Sequence, residues 1–435
     1  MAGRLLNRSS LGRNSYDLLV VGAGIFGLAS AYHYARRTSG KIIVIDSLGG
    51  PGQGNTSKSV GGFRKGLFTS NLNRILSEST ASFFMDLQAS GYDLGLSQVG
   101  YLVLLNVEHY EKYIEMIGPI LHEGYARLLT PTELARIIPF MNLKYSGDEE
   151  AEILGLRDIA AALYSPFSGY IDVEKLVNYY YEELVNAGVE FLFNARVEKL
   201  VLGPVCSIGH PREPLAWQAK KFVGVETRSG LIEADKILVA SGAWINELLD
   251  PVGIDAHVKP KKRQIFSMPA TDDLRDFFEV EGLNPYNTLP MTFIPRGPFI
   301  APRVRDRSIW MGMSDDIGRP WKIDDKPEEY FYYDNIYPIL SKIFPPLKGA
   351  RPKSMWAGCY SINTIDENPI IFRELNLVVA TGGSGSGVMK SDAIGRIAAS
   401  LLINEPIAVL HGGEKVRVDW LQLRGRRVEP EILVF

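Results

Sequence analysis

The chain has 435 residues, 46% hydrophobic and 22% charged, an ordinary balance that allows two or three packed units with a sizeable core. Lys plus Arg (47) against Asp plus Glu (50) leave a net charge of −3, with no basic excess for wrapping nucleic acid. Two cysteines, Cys206 and Cys359, form no CxxC pair, and the six histidines show no HExxH spacing, which excludes a disulfide framework and argues against a metal centre.

The chain opens with Arg4, Arg8 and Arg13 and carries no acid before Asp17. This leader lacks the apolar stretch of a secretory signal and reads as a frayed terminus rather than a targeting peptide. Leu18 to Ala35 is apolar enough to raise the question of a membrane span. Three glycines within its first ten residues and His33 between two tyrosines fit a buried strand, turn and helix better. The expectation is a cytoplasmic protein with no integral membrane segment, leaving open peripheral association with a membrane.

Tyr16 to Val21 is a short apolar run that leads into Gly22-Ala23-Gly24-Ile25-Phe26-Gly27. Good helix formers follow from Leu28 to Arg37, then Ser39-Gly40 as a stop, then a β-branched run from Lys41 to Ile45 ending in Asp46-Ser47. Strand, GxGxxG, helix, strand and acid in this order are what dinucleotide binding requires. Gly22 permits the tight turn, Gly24 lets backbone N–H groups approach a pyrophosphate, and Gly27 lets the helix sit close to the strand. The helix N-terminus favours the phosphate charge. Asp46, 24 residues after Gly22, is placed to accept bonds from ribose hydroxyls. This unit alone leaves NAD and FAD both open.

A long loop then offers hydroxyls and N–H groups in Thr56-Ser57-Lys58-Ser59, ahead of Val60-Gly61-Gly62-Phe63-Arg64. Tyr101 to Asn106 and the runs after His257 look like strands of a second, antiparallel unit. Mid-chain, Ile237 to Ala240 runs into Ser241-Gly242-Ala243-Trp244. Glu328 to Phe344 reads as a helix, with Tyr330, Phe331, Tyr333 and Tyr337 as its core face. Near the end, Leu377 to Ala380 enters Thr381-Gly382-Gly383-Ser384-Gly385-Ser386-Gly387-Val388-Met389-Lys390, and a helix follows from Ser391 to Leu402. Glycines between an apolar strand and a regular helix open a second helix N-terminus able to stabilise negative charge.

This ordered set resembles the FAD-dependent amine oxidoreductases of the D-amino-acid oxidase superfamily, such as sarcosine oxidase, glycine oxidase and dye-linked L-proline dehydrogenase, over roughly residues 16 to 403. The resemblance implies an α/β fold: a Rossmann-like FAD-binding domain of the GR2 type and a discontinuous α+β substrate domain built on an antiparallel sheet. The FAD-binding domain would take residues 15–95, 165–255 and 355–412, and the substrate domain 96–164 and 256–354. Residues 413–435 would be an extension packed on the flavin domain or on a neighbouring subunit of a homodimer. The resemblance also implies that Val197 ends a strand meeting the adenine, that Trp244 touches the cofactor, and that the late glycine turn meets the flavin.

The implied chemistry is hydride transfer from a C–H next to an amine nitrogen, with a substrate carboxylate bound by an Arg or Lys. Ser59 to Arg64 matches the S-x-G-x-x-R of sarcosine oxidase, so Arg64 would face the isoalloxazine. The second arginine of that enzyme falls on Leu67, a lysine on Met389 with Lys390 one place along, and its pocket tyrosine near Met313. These departures tell against sarcosine and, through the lost cation, against oxygen as acceptor. Arg263, in Lys261-Lys262-Arg263-Gln264, is expected to touch the carboxylate or flavin, whereas Lys261 and Lys262 are as readily a solvated edge. Cys359 falls where sarcosine oxidase links its flavin covalently, although a buried free thiol is the preferred reading. The leading expectation is an L-proline dehydrogenase passing electrons to a quinone-like acceptor or partner protein. Its rivals are an oxidase of glycine, sarcosine or a D-amino acid, and a non-catalytic FAD-binding assembly factor with a similar Ser-Val-Gly-Gly loop.

Overall fold

The computed structural model describes residues 15–426, 428 and 431–433, so the arginine-bearing leader lies outside the described residues. Five apolar runs form a parallel sheet in the order Leu377–Thr381, Gly230–Val239, Tyr16–Val21, Ile42–Ile45 and Glu190–Leu192, with Ile370–Glu374 antiparallel on one edge. Val20 lies opposite both Val44 and Leu238 in register. Because successive side chains alternate, Leu18 and Val20 pack under the helices Ile25–Ala35, Val173–Asn186 and Ser391–Leu402. Leu19 and Val21 face the other way, into a layer completed by the strands Val197–Pro204 and Lys220–Thr227. Both faces are therefore dry, which is why these strands read as unbroken apolar runs.

A second eight-stranded sheet runs Ser354–Asn363, Val258–Pro269, Ser308–Met313, Pro298–Arg303, Met291–Phe293, Tyr101–Asn106, Ile159–Ser165, Arg127–Leu129. All its pairs are antiparallel except Met291–Phe293 with Tyr101–Asn106. Its separate core includes Phe266, Met311, Ile300 and Leu104, packed against the helical stretch near residue 340. No helix among the described residues is long and apolar enough to cross a membrane.

Three local expectations need correction. The stretch expected as one helix from Glu328 has α-helical turns at Glu329–Phe331 and Tyr337–Ile343 around a wide π turn at Tyr332–Ile336. Pro338 has no N–H and crowds the carbonyl four residues back, so the turn before it widens. Of the expected core face, Phe331 is buried and Tyr337 packs partly against the core, whereas Tyr330 and Tyr333 are exposed and Tyr332 and Ile336 are buried instead. Val197 begins its strand rather than ending one, since the connection Phe193–Arg196 turns through Asn194 at positive φ. Lys261 and Lys262 are buried rather than a solvated edge. Lys261 Nζ reaches the Asp316 and Arg319 carbonyls, and Lys262 pairs with Asp324 (3.3 Å) and Glu328 (3.1 Å).

Candidate functional site

The early glycine turn is required sterically at two positions. Gly22 sits at φ +105°, and a Cβ there would lie 2.6 Å from the Ala240 carbonyl oxygen. A Cβ on Gly27 would lie 1.9 Å from the Gly22 carbonyl oxygen, so only glycine lets this helix approach the turn. Asp46 stands at the end of the neighbouring strand, where its Oδ2 accepts from Ala23 N–H (2.7 Å) and its Oδ1 from Leu48 N–H (2.9 Å). Thr56 Oγ1 accepts from Ile25 N–H at 3.1 Å and so satisfies a donor in the first turn of the helix.

The late glycine turn folds against the early one. Gly383 and Gly387 both lie against the Phe26 ring, with Cβ positions 3.4 and 3.2 Å from its Cζ. The helix Ser391–Leu402 also crosses the helix Ile25–Ala35 so closely that a Cβ on Gly395 would lie 2.7 Å from the Ala29 backbone. His33 Nε2 meets Asp392 Oδ1 across this crossing at 2.7 Å, and Arg396 binds the same carboxylate. Burial pushes the His33 pKa down, which opposes its charging.

Two adjoining cavities result. One, about 420 Å³, is lined by Gly22, Gly24, Ile25, Phe26, Asp46, Ser47, Thr56, Ser59, Val197, Ser241, Gly242, Trp244, Cys359, Gly383, Ser384, Gly385, Gly387 and Val388. The other, about 960 Å³, is lined by Arg64, Tyr101, Phe293, Arg263, Met313, Ser386, Met389, Lys390 and Leu433, among others. Ser59, Tyr360, Ser384, Gly385 and Val388 line both, so the two form one elongated cleft with the late turn at its middle. Ala23 and Gly27 act from behind the lining, through the Asp46 bond and the close helix packing. Ser57 and Lys58 lie outside both linings: the Ser57 hydroxyl binds the Gly54 carbonyl and Lys58 pairs with Asp325.

In the larger cavity Arg64 is buried, with Nη1 donating to the Leu67 (3.2 Å) and Leu433 (2.8 Å) carbonyls and its guanidinium over the Phe68 ring at 3.9 Å. Lys390 Nζ, 1% exposed, bonds Asn73 Oδ1 and Ser386 Oγ, each at 2.6 Å. Burial above all, and then the Arg64 charge, pull its pKa down to about 7, against the opposing pull of Glu431 and Asp366. Arg263 reaches the same cavity, but its fork is engaged by the Asp315 carbonyl (2.9 Å) and Asp316 Oδ1 (2.6 Å). The loop that follows Met313 thus supplies the anion expected from a ligand. Cys359 Sγ is buried and exchanges hydrogen bonds with Asp324 N–H (3.3 Å) and the Asp324 carbonyl (3.4 Å). Burial pushes its thiol pKa up.

Sequence reasoning missed Asn73, Tyr101, Tyr360 and the segment Glu431 to Leu433. Each sits in an ordinary helix, strand or tail pattern and reaches the cleft only through long-range packing. Only the Trp356 to Ser361 stretch carried a signal, its mixture of glycine, cysteine and tyrosine on one strand.

The family model described as FAD dependent oxidoreductase matches residues 17–401. The chain is 22% identical to the FAD-dependent oxidoreductase domain-containing protein 1 of Xenopus laevis, over 89% of this chain and 79% of that protein. It is also 22% identical to monomeric sarcosine oxidase of Bacillus sp. (strain B-0618), over 89% of this chain and 92% of that enzyme. Among solved structures it shares its fold with L-proline dehydrogenase from P. horikoshii, at a TM-score of 0.74 and 23% identity over 96% of this chain and 100% of that one. Glycine oxidase from Geobacillus kaustophilus gives a TM-score of 0.71 at 20% identity, covering 90% of this chain and 95% of that one.

Proposed function

The chain belongs to the FAD dependent oxidoreductase family, and from that premise we propose that it is a dehydrogenase of a small amino or imino acid, with L-proline to 1-pyrroline-5-carboxylate as the leading reaction. FAD is its cofactor. The residues present suit an extended nucleotide. The Ser241 hydroxyl is buried beside the smaller cavity without a hydrogen-bond partner among the described residues. Gly22 is a position where any side chain would collide with backbone, so glycine alone lets the strand turn here into the helix Ile25–Ala35, whose N-terminus favours a phosphate. In this reading Asp46 takes the ribose, the early turn and Thr56 the pyrophosphate, and the late turn the flavin. Residues 15–95, 165–255 and 355–412 hold the cofactor and 96–164 and 256–354 the substrate, with Tyr360 bordering both cavities.

Bound FAD supplies the hydride acceptor. The single observation that carries the substrate class is the larger cavity itself. It is continuous with the nucleotide cleft, is lined by the buried basic residues Arg64, Lys261 and Lys390 and by Arg263, and has Tyr101, Met291, Phe293, Phe299 and Met313 among its apolar lining. Arg64, buried and always charged, favours a carboxylate, and the aromatic wall favours a compact apolar body. An amine must lose its proton before its C–H becomes a good hydride donor. Lys390, with a pKa near 7, can hold such a proton at Nζ within the cavity. Met389 rather than a cation stands one place before it, which suits a quinone-like acceptor or partner protein in place of oxygen. The test is anaerobic mixing with a panel of amino and imino acids, read by loss of the yellow flavin band, then reoxidation by a quinone or by air. Bleaching by L-proline and slow reoxidation in air are expected; bleaching by none of the panel would favour the non-catalytic reading.

A second reading, an amino-acid oxidase, is favoured by the Lys390 cation itself, which provides positive charge at the cavity. Fast peroxide release on air reoxidation would select it.

A further inference from the structure

The larger cavity is closed on one side by Glu431, Ile432 and Leu433, which lie beyond the stretch that the family model matches. The Glu431 carboxylate is held by five donors. Its Oε1 accepts from the Thr69 N–H (3.0 Å), the Thr69 hydroxyl (2.8 Å) and the Leu433 N–H (3.0 Å). Its Oε2 accepts from the Ser70 N–H (3.2 Å) and Asn73 Nδ2 (3.4 Å). Thr69 and Ser70 lead into the helix Asn71–Ala89, whose N-cap is Ser70, so the carboxylate also sits where the helix end favours negative charge. Thr69 Oγ1 in turn accepts from the Ile432 N–H at 2.9 Å. Held this way, Leu433 is 2% exposed and packs among Leu67, Tyr101, Val103 and Phe293, and its carbonyl accepts from Arg64.

We infer that this latched segment is the specificity-determining wall of the cavity: Leu433 sets how bulky a carboxylic acid fits beside Arg64 and Lys390, and Glu431 holds Leu433 in place. The inference rests on the reading of this cavity as the substrate site. Arg64 and Lys390 are common to any carboxylate, so discrimination falls to the apolar surface facing them. One methylene in an apolar pocket is worth about 10- to 200-fold in selectivity, and Leu→Ala removes three carbons from this wall.

The experiment titrates the intact FAD-loaded protein with carboxylates that do not react, acetate and benzoate, and follows the visible flavin band. Leu433→Ala should raise the benzoate-to-acetate affinity ratio at least about tenfold. Glu431→Ala should move it the same way by releasing the latch, and Leu433→Met should keep it near the starting value. A chain ending at residue 430 serves if the point variants lose their flavin. A ratio unchanged in Leu433→Ala or in the shortened chain overturns the inference, as does a flavin band that no carboxylate perturbs in the unaltered protein. A shifted ratio in a protein that no amine bleaches upholds the wall and sinks the proposed reaction, so the two failures are distinct.

Discussion

Lys390 is an amine sealed between an amide oxygen and a hydroxyl, with a guanidinium near enough to disfavour its charge. Its pKa falls from 10.5 in an open chain to about 7 here. Between those values the unfolded chain binds the extra proton, so stability rises with pH across about 7 to 10 and is flat for this group on either side. The slope from one proton is at most about 1.4 kcal/mol per pH unit. Denaturant unfolding as a function of pH should show this rise in the unaltered protein and lose it in Lys390→Met. Asp46 is the acid at the end of the second strand, and each hydrogen bond to a charged group is worth about 1.5–3 kcal/mol. Asp46→Ala should weaken FAD binding by about 10- to 100-fold, measured by fluorescence of released flavin. Cys359 is a buried thiol pushed away from the thiolate form, which is the reacting species. Acid precipitation should leave the yellow colour in the supernatant, and Cys359→Ser should keep its flavin.

At the scale of elements, the decisive feature is the contact between the first and last long helices. Gly395 meets the Ala29 backbone, and the His33–Asp392–Arg396 group spans the same crossing. Overpacking a tight contact costs about 1–3 kcal/mol. Gly395→Val should therefore lower the melting temperature by several degrees and loosen FAD, since the two glycine turns are carried by these helices. Phe26 fills the space between the turns, so Phe26→Ala should weaken FAD with a smaller stability loss; calorimetry with and without FAD separates the two effects. The three successive basic residues Lys261, Lys262 and Arg263 show how far an element can mislead. As a sequence they look like a wet edge, yet acids and carbonyls of the loop from Asp315 to Glu328 surround them.

For the whole molecule, the smaller cavity brings together segments more than 360 residues apart in the chain, from Gly22 to Gly385, which the proposed FAD site would bridge. A ligand that binds only the folded state adds RT ln(1 + [L]/Kd), about 2.7 kcal/mol at a hundredfold excess over Kd. Protein stripped of flavin should melt lower and recover on adding FAD, whereas NAD should give no shift. That discrimination was beyond the first strand–turn–helix unit, which suits either nucleotide.

The order of apolar runs, glycine turns and the acid at position 46 was enough to determine the dinucleotide fold and the two glycine turns that line its cleft. Those features are local: a turn at positive φ or a two-sided dry strand leaves its mark within ten residues. Resemblance then extended the reading to the cofactor and the family. Tertiary structure alone decided that Lys390 is a buried amine of low pKa, that Arg263 is already satisfied by Asp315 and Asp316, and that Leu433 walls the cavity. Each of these depends on partners 50 to more than 350 residues away, and burial and charge neighbours are properties of the packed chain that no spacing along it encodes.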